Sequence, residues 1–178
     1  PGGVFHGYDL YAMWQAQLGA RREWQWGGVR LTGVAEFVGK HARELPAASV
    51  VRYGRADIFG VGPVHGQCTV TTGDAARQCS LRGYPTANAW GSRLRLDAPL
   101  PALGPQLATS ASLLFVHDVK GWSGDLLLGE GRRPMNLARR FEYRKRYLAE
   151  LGYQPSWGGD YHQAGGPDTP SFALGLKL

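Results

Sequence analysis

Apolar and polar positions alternate along this chain with a period of two. Between residues 8 and 21 the even positions are Tyr8, Leu10, Ala12, Trp14, Ala16, Leu18 and Ala20, none of them charged. The odd positions are Asp9, Tyr11, Met13, Gln15, Gln17, Gly19 and Arg21. Successive side chains of a strand point to opposite faces, so the segment predicts a two-faced strand with a turn across 22–25. Parity then switches: Gly27, Val29, Leu31, Gly33, Ala35, Phe37 and Gly39 form the apolar face, and Arg30, Thr32, Glu36 and Lys40 share the other with Val34 and Val38.

The same alternation returns further on. Trp90, Ser92, Leu94 and Leu96 stand against Gly91, Arg93, Arg95 and Asp97, before a Pro-rich turn at 99–105. Leu107, Thr109, Ala111, Leu113 and Phe115 stand against Gln106, Ala108, Ser110, Ser112 and Leu114. Met135, Leu137, Arg139, Phe141 and Tyr143 oppose Asn136, Ala138, Arg140, Glu142 and Arg144. After a turn at Arg144-Lys145-Arg146, Tyr147, Ala149, Leu151 and Tyr153 oppose Leu148, Glu150, Gly152 and Gln154. The last strand sets Phe172, Leu174, Leu176 and Leu178 against Ser171, Ala173, Gly175 and Lys177. Within the irregular stretch 41–87, residues 50–53 are expected to extend a strand locally.

Seven strands result, joined alternately by short turns (22–25, 99–105, 144–146) and long linkers (41–88, 117–133, 157–169). Short turns at one end and long loops at the other predict an all-β fold, an antiparallel transmembrane β-barrel of the outer-membrane kind. Bacterial single-chain barrels have an even number of strands, at least eight, so the chain is expected to be the C-terminal fragment of a larger barrel. Residues 1–178 then form part of a single barrel domain, with 41–88 as a long extracellular loop region.

A soluble lipocalin-like barrel would bury the apolar face; a membrane barrel turns it outward. Three features favour the membrane. The apolar faces carry almost no charge, with Arg139 the exception. Small residues such as Gly33, Ser92 and Ala111 would leave voids in a packed core but are tolerable against fluid lipid. Aromatics gather where strands end: Trp24, Trp26, Tyr143 and Tyr147 near short turns, and Tyr8, Trp90 and Trp157 near long loops, as interfacial girdles require. A lipid-facing arginine at mid-depth costs about 2–4 kcal/mol, so a β-bulge near Arg139-Arg140 is expected to turn both side chains inward.

Composition adds limits. The longest nearly apolar run, 107–116, is about half of what a membrane-spanning helix needs, which excludes a helical membrane protein. Formal charge is +6, compatible with anionic lipid or acidic solutes. The Arg144-Lys145-Arg146 turn lacks the wider basic patch of a nucleic-acid binder, so no nucleic acid is expected. Cys68 and Cys79 sit in a polar, Gly- and Thr-rich stretch; a disulfide there suits an oxidising compartment, and a thiol pair suits a reducing one. Neither a metal nor a cofactor is implied, since His65 is the only extra ligand near the cysteines.

Arg30, Glu36, Arg93, Arg95, Asp97, Arg140, Glu142, Arg144 and Glu150 are expected to line the lumen. Two readings stand: a net-positive passage for anionic solutes or amphiphile head groups, and a ladder of cross-strand ion pairs that fills the barrel. His117, Asp118 and Glu130 are expected to organise an outer loop. Ser112 with His117 as its base would suggest a lipase, but five positions apart on one strand they face opposite sides, so no enzyme is expected.

Several segments carry a resemblance. They are Gly83-Tyr84-Pro85-Thr86, Ala89-Trp90-Gly91-Ser92-Arg93-Leu94-Arg95, His117-Asp118-Val119-Lys120-Gly121-Trp122, Gly129-Glu130-Gly131-Arg132, the pair Phe141-Glu142-Tyr143 to Gly152-Tyr153, and Gly158-Gly159-Asp160-Tyr161. Together they resemble the C-terminal part of a proteobacterial outer-membrane family known as domain of unknown function 1302. The resemblance runs from Tyr8 to the end and is most specific between Cys79 and Tyr161. It implies a larger barrel that acts as a channel for hydrophobic or lipid-like molecules in the outer membrane of a Gram-negative bacterium. The implied partners are the lipid bilayer, the outer-membrane assembly machinery, a periplasmic lipid-binding-like protein and an inner-membrane transporter. The alternative is a surface structural or adhesive barrel whose long loops bind partners. Two departures stand out: Pro167-Asp168-Thr169-Pro170-Ser171-Phe172 replaces the family's Asp-Arg-Asp-Phe-like lead-in to the last strand, and the chain ends in Leu178 rather than an aromatic residue.

Overall fold

The computed structural model describes residues 7–70, 74–161 and 168–177. They form one antiparallel sheet of eight strands. In chain order these are β1 (Met13–Trp26), β2 (Val29–Ala42), β3 (Asn88–Leu100), β4 (Leu107–Lys120), β5 (Arg133–Tyr143), β6 (Tyr147–Gln154), the two-residue β7 (Ser156–Trp157) and β8 (Thr169–Leu176). The main path runs β1-β2-β3-β4-β5-β6-β8, and β7 pairs with the start of β5. The sheet is open: among the described residues the outer edges of β1 and β8 have no partner strand.

Strand parity fixes the faces, and the pairing carries them across the sheet. Leu18 pairs with Phe37, which pairs with Ser92; Ala35 with Leu94, and Leu94 with Phe115. Phe115 meets Met135, and Leu137 meets Tyr153. Leu151 and Phe172 close the series on β6 and β8. One largely apolar face therefore extends from β1 to β8. Among the described residues nothing packs on it: Leu18 is 75% exposed, Phe172 64% and Leu174 74%.

Four expectations are corrected. The first turn lies at Gly27-Gly28, not across 22–25, because two glycines at φ 57° and 78° supply the two-residue hairpin turn that matches strand twist. The strand accordingly continues past residue 21 and places Arg22, opposite Gly33, on the apolar face. No bulge turns Arg139: β4–β5 and β5–β6 pairing is regular there, with Arg139 opposite Ala111 on one side and Leu151 on the other. The irregularity falls instead between Trp90 and Gly91 on β3. Finally, residues 50–53 join no strand; the 43–87 linker contains a 3-10 turn at Asp57–Phe59 and a one-turn helix, α1 (Ala75–Gln78).

The compact core is not between layers of the sheet. Phe59, Tyr84 and Leu128, all in long loops, are its buried side chains, together with Ala89 at the loop end of β3. The Cys68–Cys79 disulfide is formed and closes the middle of the first long loop. Leu178 and residues 162–167 of the last linker lie outside the described residues.

Candidate functional site

The face opposite the apolar one carries the charge. Thr32, Asp97 and Ser112 share one register row; Glu36 and Arg93 share another. Arg95 grips Asp97 two positions along the same strand through both carboxylate oxygens, at 2.7 and 3.0 Å. Arg140 bridges to Glu150 on β6 at 2.9 Å, and Glu142 to Lys177 at 2.8 Å. Arg144 donates to the Gln106 side chain at 2.6 Å and so ties two short turns together. Glu36 and Arg93 are register partners with no ion pair between them, and Arg30, near the first turn, has none among the described residues. Of the nine residues expected to line a passage, the sheet sets eight on this face; Arg144 sits at the turn. Most acidic residues of this face are thus ion-paired; Glu36 and Arg93 offset each other in formal charge, and Arg30 is left without a carboxylate partner among the described residues. A concave area of about 300 Å³ lies among Thr32, Arg95, Asp97, Ser110, Arg140 and Glu150.

The β4–β5 loop folds back over this face. Lys40, at the loop end of β2, is almost wholly buried and ion-pairs with Asp125 of that loop. Leu127 and Leu128 border a small space with Gln15, Gln17, Glu36 and Arg93. Burial alone would raise the Asp125 carboxyl, but hydrogen bonds from Lys40, Ser123 and the Leu127 amide outweigh it and hold it below the usual range. Nothing local marked this contact, since Lys40 and Asp125 are 85 residues apart.

Asp118 secures the root of the same loop. Its carboxylate, 1% exposed, accepts from Arg132 Nε at 2.6 Å and from the Gly129 amide at 3.0 Å. Its backbone bonds to Arg132 and Gly131. Glu130 accepts from the Gly121 amide at 2.9 Å and faces Arg82 at 3.6 Å. His117 is placed apart from them: it pairs with Ser92 on the apolar face, its ring 6.4 Å from Phe115. Ser112 lies on the charged face, away from His117.

Around this root the three long loops interlock. Arg55 stacks over Tyr84 at 4.3 Å and Tyr161 at 5.4 Å while donating to the carbonyls of Ser80 and Arg82. Tyr161 packs edge-on against Phe59 and Trp122. Arg82 also reaches Asp160 at 3.3 Å. Tyr84, Trp122, Glu130, Arg132 and Tyr161 all come from the short motifs of the sequence. The family profile described as "Protein of unknown function (DUF1302)" matches residues 2–178. The chain belongs to this family. No curated protein and no solved structure matches it.

In this DUF1302 chain the loop motifs thus build the cap, while Arg93, Arg95 and Glu142 of the strand motifs stand on the charged face. Sequence reasoning missed Arg55, Arg82 and Arg132 as organisers, although Arg132 closes a motif that was singled out. A pocket of about 180 Å³ opens within the cap, lined by Phe59, Trp122, Leu126, Leu128, Arg132 and Tyr161 among others. Among the described residues no three His, Cys, Asp or Glu side chains gather as a metal site. No helix there is long and apolar enough to cross a membrane.

Proposed function

We propose that this chain is part of an outer-membrane β-barrel whose charged face lines a passage for small or hydrophobic, lipid-like molecules. One observation carries the reading: a largely apolar face spans every main-path strand and is uncovered among the described residues, while the packed core lies in the long loops and the loop end of β3. Soluble proteins rarely expose apolar patches beyond a few hundred Å², so this face needs lipid or an equivalent cover. Strands of 14, 14, 13, 14 and 11 residues (β1 to β5) meet the roughly 9–11 residues that crossing requires. Tyr143 and Tyr147, ring centroids 6.4 Å apart at one turn, suit a membrane interface. Open edges are not viable in lipid, so the reading requires closing strands from a longer chain or another copy.

In this reading the β4–β5 loop narrows the passage beside Glu36 and Arg93, and surplus arginine favours anionic solutes or head groups. The lipid bilayer and the assembly machinery are its necessary partners. A periplasmic lipid-binding-like protein and an inner-membrane transporter follow from the family resemblance. The test is single-channel conductance of the full-length protein in planar bilayers, with ion selectivity measured for wild type, Arg93→Gln and Arg140→Gln. Stable anion-leaning conductance, weakened in both variants, is expected. A folded protein that stays in water without detergent overturns the membrane reading. The second reading, a surface barrel that binds partners through its loops, is favoured by the cap pocket; insertion without conductance would select it.

A further inference from the structure

The apolar face carries arginines that an inert lipid-facing surface does not need, and one of them stands beside a hollow. Arg139 is exposed on this face, between Ala111 and Leu151, and has no carboxylate within ion-pair distance among the described residues. Its neighbour Arg140, on the opposite face, is paired with Glu150. The Arg139 guanidinium lies 5.4 Å from the Phe141 ring, the next same-face residue toward Tyr143 and the short turn. Tyr143 is four positions along the strand, which at a typical barrel tilt is roughly 10 Å of depth. The side chain is therefore directed to the interface that Tyr143 and Tyr147 mark, as a snorkelling arginine should be.

Beside it the surface is hollow. Ala98 and Ala111 are register partners, and their short side chains leave a shallow depression of about 460 Å³ walled by Leu96, Leu113 and Leu137. An uncovered cation next to a shallow apolar trough matches the two ends of an anionic amphiphile. We propose that Arg139 and this trough form a site for one anionic phospholipid on the outer surface of the barrel. The phosphate pairs with the guanidinium and an acyl chain lies over Ala98 and Ala111. Charge complementarity selects this occupant over an uncharged chain, which would leave Arg139 unpaired in lipid. The inference rests on the membrane reading above.

The test is native mass spectrometry of the full-length protein released from mixed micelles of phosphatidylglycerol or phosphatidylcholine. The folded state is checked independently by heat-modifiable gel mobility. Wild type is expected to retain one phosphatidylglycerol and little phosphatidylcholine. Arg139→Leu should lower that retention about tenfold. Arg22→Leu, which removes another arginine of the same face outside the trough, should leave it unchanged. Ala111→Leu fills the trough but keeps the charge, and should also lower retention; it decides the matter if Arg139→Leu fails to fold. Equal retention of both lipids, or unchanged retention in Arg139→Leu or Ala111→Leu, overturns the site. A protein that is folded and water-soluble without detergent fails earlier, at the membrane reading, so the two failures are distinguishable.

Discussion

Replacing Asp118 by alanine should open the β4–β5 loop without unpicking the sheet. The carboxylate accepts Arg132 Nε at 2.6 Å and the Gly129 amide at 3.0 Å, in a place that water does not reach. A hydrogen bond to a charged group contributes about 1.5–3 kcal/mol. Removing one partner of a fully buried ion pair costs about 3–5 kcal/mol. Arg132 is one-fifth exposed and keeps a second acceptor in the Leu127 carbonyl at 2.6 Å, so the lower end applies. A loss of about 3 kcal/mol is therefore expected, and at about 1.4 kcal/mol per tenfold that is roughly a hundredfold rise in the open population. Asp118→Asn keeps an acceptor for Gly129 but loses the charge, and should show about half that energy. The assay is hydrogen exchange of the full-length protein in micelles. The amides of Ser123, Leu128, Gly129 and Gly131, all bonded within this loop, report the opening. Strand amides of β1 and β2 serve as the internal control. Unchanged exchange in the loop, or acceleration spread evenly through the strands, would refute the idea that Asp118 holds one local unit.

Three further outcomes follow from the same geometry. Asp125 has a carboxyl held below its ordinary value, so the stability it contributes is present above the unfolded-state pKa, about 3.9, and disappears as pH falls through the lowered folded value. Exchange of the Leu127–Leu128 peptide should stay flat from pH 7 to 5 after correction for intrinsic rates and rise only in stronger acid; loosening near pH 6 would contradict the Lys40–Asp125 latch. Reduction of Cys68–Cys79 should loosen the 43–87 loop by about 3 kcal/mol, the loop-closure value for an 11-residue separation. Limited proteolysis should then cut within that loop while heat-modifiable gel mobility is retained. Gly121→Ala places a Cβ 2.1 Å from the Asn88 carbonyl oxygen at φ +78°, where backbone rather than a flexible side chain must yield. It should therefore lower the folded yield far more than Gly129→Ala, whose nearest neighbour is 4.0 Å away.

How much of this was legible beforehand follows from which interactions are local. Pleating makes side-chain direction a property of adjacent residues, so alternation alone separated Leu94 and Leu96 from Arg93 and Arg95, and Phe172 and Leu174 from Ser171 and Ala173. Turn position was less secure. A turn was expected across 22–25, but Gly27 and Gly28 are the residues able to take positive φ together, and the hairpin formed there. That shift alone moved Arg22 to the apolar face. Arg139 was expected to be diverted by a bulge, yet β4 and β6 hold β5 in register on both sides, and the side chain turns along the surface instead. The charged face was legible as a set of residues; its ion pairs were not, because Arg140–Glu150 and Glu142–Lys177 depend on which strands become neighbours. The loop cap was least legible. Sequence alone determined the seven main-path strands, their two faces away from the first turn and the alternation of short and long connections, all set by neighbours in the chain. Only tertiary structure decided that Lys40 meets Asp125, that Asp118 meets Arg132 and that Arg55 lies between Tyr84 and Tyr161, because those contacts depend on the fold of long loops, where no periodicity constrains the backbone.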